Sequence, residues 1–450
     1  MLKSIFYIIQ LALLIFIAVW LADNPGTVKI NWMNYNIEIH TGIFTAIFLS
    51  IIIISMILYR IWRNIISIPK TYKSYKKHKN LIDGYEAISM GIAAIAAGDS
   101  KRALSYSNKA KEIIPDSGKG LILLLEAQSK RMNNQDDVEV TKIYEELANS
   151  KDMALLGVRG LVNNAMEHGD YSKALELAEK SYKANKKQVW LLKQIYTLQI
   201  HLGLWNEALK SLNKSLKVKA TDKSPAYSDK ASLLILLADK DIQEKYIDDA
   251  ISNLKKSLKI NAGFSPAAQR LSKIYIERGR RKAAINVIEK AWKIQPHPDL
   301  VPLWNILFIS KKTDNSIDRL KWFEKLCNNN PNSAESQITL ATIAISENLW
   351  GAAKSALKLA ETIRPSSRLY RLWAELEEKS FKDTNKINKF LEKASLAEPD
   401  KIWVCKETGN TYNNWEAIAQ PHKSFNTIIW DLQKNHLRML GDNHSTELLL

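Results

Sequence analysis

The chain has 450 residues, 46% of them hydrophobic, and a formal net charge of +17. That hydrophobic content excludes general disorder, and 16 glycines with 12 prolines are too few for strands joined by tight turns to dominate. Two distant cysteines, Cys327 and Cys405, exclude a disulfide framework and fit a reducing compartment. The positive excess points to nucleic acid, anionic lipid or acidic protein, and its place along the chain decides among them.

Residues Ile5–Ala22 read IFYIIQLALLIFIAVWLA, interrupted only by Gln10, and Asp23-Asn24-Pro25-Gly26 stops the run. That is about one bilayer crossing, since ~20 apolar residues span the hydrocarbon core. No small-x-small cleavage site precedes Asp23, and a second apolar run, Gly42–Tyr59, follows at once, so the first reads as a span and not as a signal peptide. Lys3 precedes the first span, and Arg60, Arg63, Lys70, Lys73, Lys76, Lys77 and Lys79 follow the second. The loop between them holds only Lys29 against Asp23 and Glu38. Basic flanks stay on the cytoplasmic side, so both termini are expected there. Within the loop, Val28, Ile30 and Trp32, then Tyr35, Ile37 and Ile39, alternate as in a β-hairpin turning at Met33-Asn34.

The seven basic residues after the second span act as a topology determinant, and the same charges suit anionic lipid headgroups. A nucleic-acid partner is disfavoured, because a membrane-adjacent cluster already has a polyanion beside it. The rest of the excess is spread over the following segment, as at Lys186-Lys187 and Arg278–Lys282.

Beyond Asn80 the pattern is helical pairs at a fixed spacing. A small residue recurs in the second helix of each pair, at Ala174, Ala208, Ala250 and Ala284. Two of these intervals, 174 to 208 and 250 to 284, are 34 residues; the one from 208 to 250 is 42, which places about eight extra residues near Lys219–Ser228 or Asp239–Glu244. A 34-residue helix–turn–helix unit resembles the tetratricopeptide repeat. Gly91, Ala103, Ala110 and Pro115 fit it in one unit, and Tyr275, Gly279, Ala284, Ala291 and Pro296 in another. Ala353, Leu357, Ala360 and Pro365 fit a third, and Phe390, Ala394 and Pro399 end a degenerate last one. Helices approach closely only where side chains are small, so Gly91, Ala103, Ala174, Ala208, Ala250, Ala284 and Ala353 are the expected packing positions. One hairpin cannot bury its apolar face alone; stacking supplies the core and leaves a concave surface for a partner's peptide or helix.

After Pro399 the segment Lys401–Trp430 holds Trp403, Trp415 and Trp430. It resembles a zinc ribbon, in which two C-x2-C knuckles hold one metal. The first knuckle here is Cys405-Lys406-Glu407-Thr408; the second, set by the motif Ser424-Phe425-Asn426-Thr427, is Ala419-Gln420-Pro421-His422. Only Cys405 and His422 remain as donors, so no zinc is expected, and Trp403, Trp415, Phe425 and Trp430 are expected to hold the segment by burial against itself or the last repeat.

The whole plan, with Gly26-x-Val28-x-Ile30 and Tyr35-Asn36-Ile37-Glu38 between two spans, then a basic stretch and a repeat array, resembles the bacterial HemY N-terminal family. Members are inner-membrane proteins associated with haem biosynthesis, and the tail resembles that of the alphaproteobacterial type. The resemblance implies an all-α fold: a right-handed tetratricopeptide superhelix behind two transmembrane helices, closed by a degenerate ribbon-like cap. The expected divisions are an anchor over 1–80, repeats over 81–400, the cap over 401–435 and a flexible tail over 436–450. The implied role is a scaffold without catalytic residues or cofactor, on the cytoplasmic face of the inner membrane, supporting a late porphyrin step with haem-pathway enzymes as partners. An alternative from the same architecture is a tethered adaptor that delivers substrates to a protease or to envelope-assembly machinery.

Enzyme motifs are missing. Gly118-Lys119-Gly120 has Leu123 where a dinucleotide fingerprint needs its third glycine. The sequence has no phosphate-binding G-x-x-x-x-G-K, no H-E-x-x-H and no C-x-x-C-H, and no two of its eight histidines stand three or four residues apart.

Overall fold

The computed structural model describes residues 9, 12–13, 15–20, 23, 26–33, 35–114, 119–133, 137–150, 153–186, 188–309, 316–380 and 382–433, without the side chains of 32, 64–74, 77 and 137. It divides into two compact units, residues 1–157 and 158–450. Half of the first expected span, and all of 436–450, lie outside the described residues.

In the first unit the described residues from 9 to 23 are helical, and an antiparallel hairpin follows, β1 (Thr27–Trp32) and β2 (Tyr35–His40), with Trp32 opposite Tyr35 and Val28 opposite Ile39. Lys29 pairs across the strands with Glu38. Helix α1 then runs unbroken from Thr41 to Ala96, 56 residues or about 84 Å at 1.5 Å per residue. Its Thr41–Arg63 stretch is long and apolar enough to cross a bilayer and is nowhere buried in the protein. Among the described residues this is one candidate span, where the sequence leads one to expect two. Past Leu81 the same helix pairs with α2 (Ser100–Ile113), and α3 (Lys119–Met132) with α4 (Asp137–Ala148) makes the next hairpin. Ala87, Ile88, Ala110, Ile114 and Ile122 form the core there. A Cβ on Gly91 would lie 2.6 Å from a Leu125 methyl, so a larger residue there requires that side chain to shift.

Helix α5 (Ala154–Glu167) crosses the division. The second unit continues with α6 (Tyr171–Ala184), α7 (Val189–His201), α8 (Trp205–Lys217), α9 (Lys223–Gln243), α10 (Ile247–Ile260), α11 (Ser265–Glu277) and α12 (Arg281–Ile294). A 3₁₀ turn (Pro298–Leu300) leads into the short α13 (Val301–Ile306), then α14 (Ser316–Cys327), α15 (Ala334–Ser346), α16 (Trp350–Ile363), α17 (Ser367–Ser380) and α18 (Thr384–Leu396). In the described turns within hairpins a residue with positive φ lets the next amide reach back to the helix end. Glycine supplies it at Gly169, Gly203 and Gly279, and Lys245 and Asn348 adopt it elsewhere. Asp170 and Asp383 then cap their helices, accepting from the amides of Lys173 and Lys386.

Ala103, Ala174, Ala208, Ala250, Ala284 and Ala353 all have no exposed surface. Replacing Ala284 by leucine puts three more carbons into such a crossing and is expected to cost ~1–3 kcal/mol. Equilibrium denaturation checks this; a variant as stable as the parent contradicts the register. Helix α9 absorbs the long interval: it has 21 residues where α7 and α11 have 13. The excess is about two helical turns.

Candidate interaction groove

Residues of α7, α9 and α11 in the second unit face the chain's own C-terminal segment. Residues 402–431 form two small sheets: β3 (Ile402–Cys405) lies between β4 (Thr411–Tyr412) and β7 (Ile428–Asp431), and β5 (Ile418–Ala419) pairs with β6 (Ser424–Phe425). The described chain is thus helical with a small β element, not all-α.

The entry to this segment is tied to the start of α17. The Asp400 carboxylate accepts from Ser366 Oγ at 2.8 Å and from the Arg368 amide at 2.7 Å, and Ser367 N donates to the Glu398 carbonyl at 3.0 Å. From there the segment reaches far back along the repeats. The rings of Trp403 and Trp430 flank His297 at 4.9 and 4.3 Å, and Trp403 Nε1 donates to Asp299 at 3.3 Å. Trp415 meets Phe264 edge-on at 5.2 Å and lies under the Arg270 guanidinium at 5.6 Å. Phe425 packs on the cluster of Ile200, Ala208, Leu212, Ala226 and Leu233. The aromatic residues therefore pack partly against one another, Trp403 on Trp430 at 5.1 Å, and partly against α7, α8, α9, α11 and the 3₁₀ turn at Pro298–Leu300. Sequence periodicity describes only neighbouring hairpins, so it offers the last repeat and not these more distant ones.

The polar anchor is Asn426, held at φ 55 in the turn between β6 and β7, its amide bound to the Ala417 carbonyl at 2.7 Å. Its Nδ2 donates to Asp229 Oδ1 at 2.8 Å and to Ser228 Oγ at 3.0 Å, and its Oδ1 accepts from Ser232 Oγ at 2.8 Å. Tyr196 donates to the other Asp229 oxygen at 3.1 Å. Burial pushes the Asp229 carboxyl above its usual range, opposed by the hydrogen bonds from Asn426 and Tyr196 and by the Lys406 charge. Burial first, and then the neighbouring carboxylate, raise Tyr196 well above an ordinary phenol. Counting 34 residues back from the start of α11 gives Ala231, so Ser228 and Asp229 sit in the two extra turns of α9. The sequence reading found the insertion and the Ser424–Thr427 motif without joining them.

The ribbon positions do not fit a metal. Cys405 is buried and its Sγ donates to Thr427 Oγ1 at 3.4 Å, while His422 is exposed and Ala419 is buried without a donor atom. Burial raises the Cys405 thiol, but hydrogen bonds from Thr408, Thr427 and the amides of Glu407 and Thr408 outweigh it and hold the thiol below its usual range. Among the described residues no three His, Cys, Asp or Glu side chains converge as metal ligands.

In the basic stretch, Arg60, Arg63, Lys76 and Lys79 are exposed on α1; the side chains of Lys70, Lys73 and Lys77 lie outside the described ones.

His297 supplies a pH-sensitive element. It has no exposed surface, its Nδ1 accepts from the Asp299 amide at 3.2 Å, and burial lowers its pKa from 6.5 to about 4. The unfolded chain therefore takes up this proton first. Stability from the neutral ring is complete above pH 6.5 and is lost as pH falls towards 4. The full loss is on the order of 3 kcal/mol. Asp299, whose carboxyl burial raises despite the Trp403 hydrogen bond, is protonated more readily in the folded chain and offsets part of it. Tryptophan fluorescence is expected to report loosening of the segment between pH 6.5 and 4, and His297→Phe to remove that step; identical profiles would contradict it.

Residues 26–134 match the family described as HemY protein N-terminus, and residues 241–302 match the tetratricopeptide repeat. The probable magnetosome protein Mms48 of Magnetospirillum gryphiswaldense is 20% identical over 437 residues, 96% of this chain and 93% of its own. Among solved structures, yeast Tom70 is 15% identical, with 73% of this chain and 82% of that chain covered and a TM-score of 0.29. Naa15/Naa10 bound to HypK-THB is 16% identical, covers 68% of this chain and 48% of its own, and has a TM-score of 0.41. The helical hairpins and the hairpin-led apolar helix thus carry two recognised signatures: residues 26–134 match the HemY protein N-terminus and residues 241–302 the tetratricopeptide repeat.

Proposed function

We propose that the chain is a non-catalytic protein-interaction scaffold anchored in the bacterial inner membrane, its repeats in the cytoplasm, and that it supports a late step of haem synthesis. The observation that carries the tether is helix α1. The stretch fit to cross a bilayer continues without a break into the first repeat hairpin, so the first repeats stand on the span itself with no linker between. Such a scaffold holds partner enzymes near the bilayer, where porphyrins partition. The HemY protein N-terminus at 26–134 supports the haem reading. Functionally the chain divides into the anchor over 1–80, the repeats over 81–400 and a ribbon-derived segment over 401–435. The Cys405 knuckle keeps amide hydrogen bonds to its sulfur although Thr408 and Ala419 stand at two of the donor positions.

Depletion of the protein tests this. Porphyrin intermediates are expected to accumulate, and ferrochelatase or the preceding oxidase to co-purify with the full chain from solubilised membranes. An unchanged porphyrin profile together with co-purification of a protease overturns the haem reading.

A further inference from the structure

We propose that the groove of the second unit contains a carboxamide-reading site, made by Tyr196, Ser228, Asp229 and Ser232, and that the C-terminal segment fills it in cis as a displaceable occupant. A partner segment that enters the groove must then present an asparagine on a turn, flanked by apolar residues, and must displace Asn426. The gating of partners rests on the scaffold reading; the site itself does not.

The chemistry of the site selects an amide. One side of the bound group must donate, because it meets the Asp229 carboxylate at 2.8 Å; the other accepts here from the Ser232 hydroxyl at 2.8 Å. A primary carboxamide does both in one plane. A carboxylate in its place sets two like charges against each other in a partly buried site, and an aliphatic side chain leaves Asp229 without its donor. The pedestal is fixed: Tyr196 bonds the far Asp229 oxygen at 3.1 Å, and the hydroxyl of Ser232 has no exposed surface around it. Beside it Phe425 occupies an apolar slot over Ile200 and Leu233.

The segment forms a β unit of its own. Its strands pair only with one another, and the repeats contribute side chains to it but no strand. Helices α7, α9 and α11 close their own hairpins through α8, α10 and α12, with Leu198, Leu212, Leu254, Leu271 and Ile288 buried. Departure of the segment uncovers the groove without opening those hairpins.

The test uses the purified full chain in detergent micelles, as parent and as Asn426→Asp. Hydrogen exchange of amides 402–431 is expected to be at least tenfold faster in the variant, with the cores of α7, α9 and α11 unchanged. A labelled synthetic peptide of residues 423–430, KSFNTIIW, is expected to bind the variant at least tenfold more tightly than the parent, whose groove is filled. The same peptide with aspartate at its fourth position is expected to bind neither. Should Asn426→Asp fail to fold, Asn426→Ala carries the same two readouts without the added charge. Unchanged exchange in the segment, loss of protection in segment and helices together, or equal binding of the two peptides overturns the proposal.

Discussion

Replacing Trp292 by alanine is expected to destabilise the second unit by about 3–5 kcal/mol, the range for removing a large aromatic ring from a packed interior. Trp292 lies on α12 with no exposed surface, and its Nε1 donates to Ser336 Oγ on α15 at 2.9 Å. The ring therefore joins one hairpin to the hairpin two units on, across the short α13. Alanine there leaves a cavity and strands a buried hydroxyl, and the two penalties act together. Because each repeat is held mainly by its neighbours, the loss is expected to spread to α11 and α15. Chemical denaturation of the full chain measures it, and a midpoint equal to the parent's would show that the site collapses without cost.

The second large effect separates two glycines that look alike in the sequence. Both Gly157 and Gly351 lie in helices, where alanine is intrinsically favoured by roughly 0.5–1 kcal/mol. A Cβ on Gly351 meets nothing within 4 Å, so Gly351→Ala is expected to stabilise by that amount. On Gly157 the same atom lies 2.2 Å from the Ala148 amide nitrogen and 2.6 Å from its Cα. Backbone cannot swing aside as a side chain does, so α4 and α5 must separate. Gly157→Ala is expected to cost ~1–3 kcal/mol or more despite its better helix propensity. Thermal melts should show opposite shifts for the two variants; shifts of the same sign would contradict the close approach.

What the sequence discloses and what it conceals follows from how each feature is encoded. Alanine at 34-residue intervals discloses the hairpins, because close crossing demands a small side chain at every unit. Alternation over Val28–Ile39 discloses the β-hairpin, since cross-strand pairs need period two. The eight extra residues before Ala250 show as a broken interval, but not as two turns of helix with a polar tip. The seat of the C-terminal segment stays concealed: Asn426 and Ser228 are 198 residues apart, and no local pattern couples them. Trp304 and Trp322 are likewise silent in the sequence. Their rings stack at 4.4 Å and each indole N–H bonds the other's carbonyl, which braces the short α13 against α14. Gly157 had a signal, a glycine inside an apolar helix, whose meaning depends on a neighbour that the sequence does not name.

The account turns on a membrane span that continues directly into cytoplasmic repeats. Alkaline phosphatase, which is active only outside the cytoplasm, tests this most directly when fused after Ala97, just beyond the end of α1. The exposed Arg60, Arg63, Lys76 and Lys79 on the same helix favour retention on the cytoplasmic side. The account predicts an inactive reporter there and an active one when the fusion follows Met33 in the turn of the β-hairpin. Strong activity after Ala97 would place the repeats outside the cytoplasm and contradict the proposed scaffold.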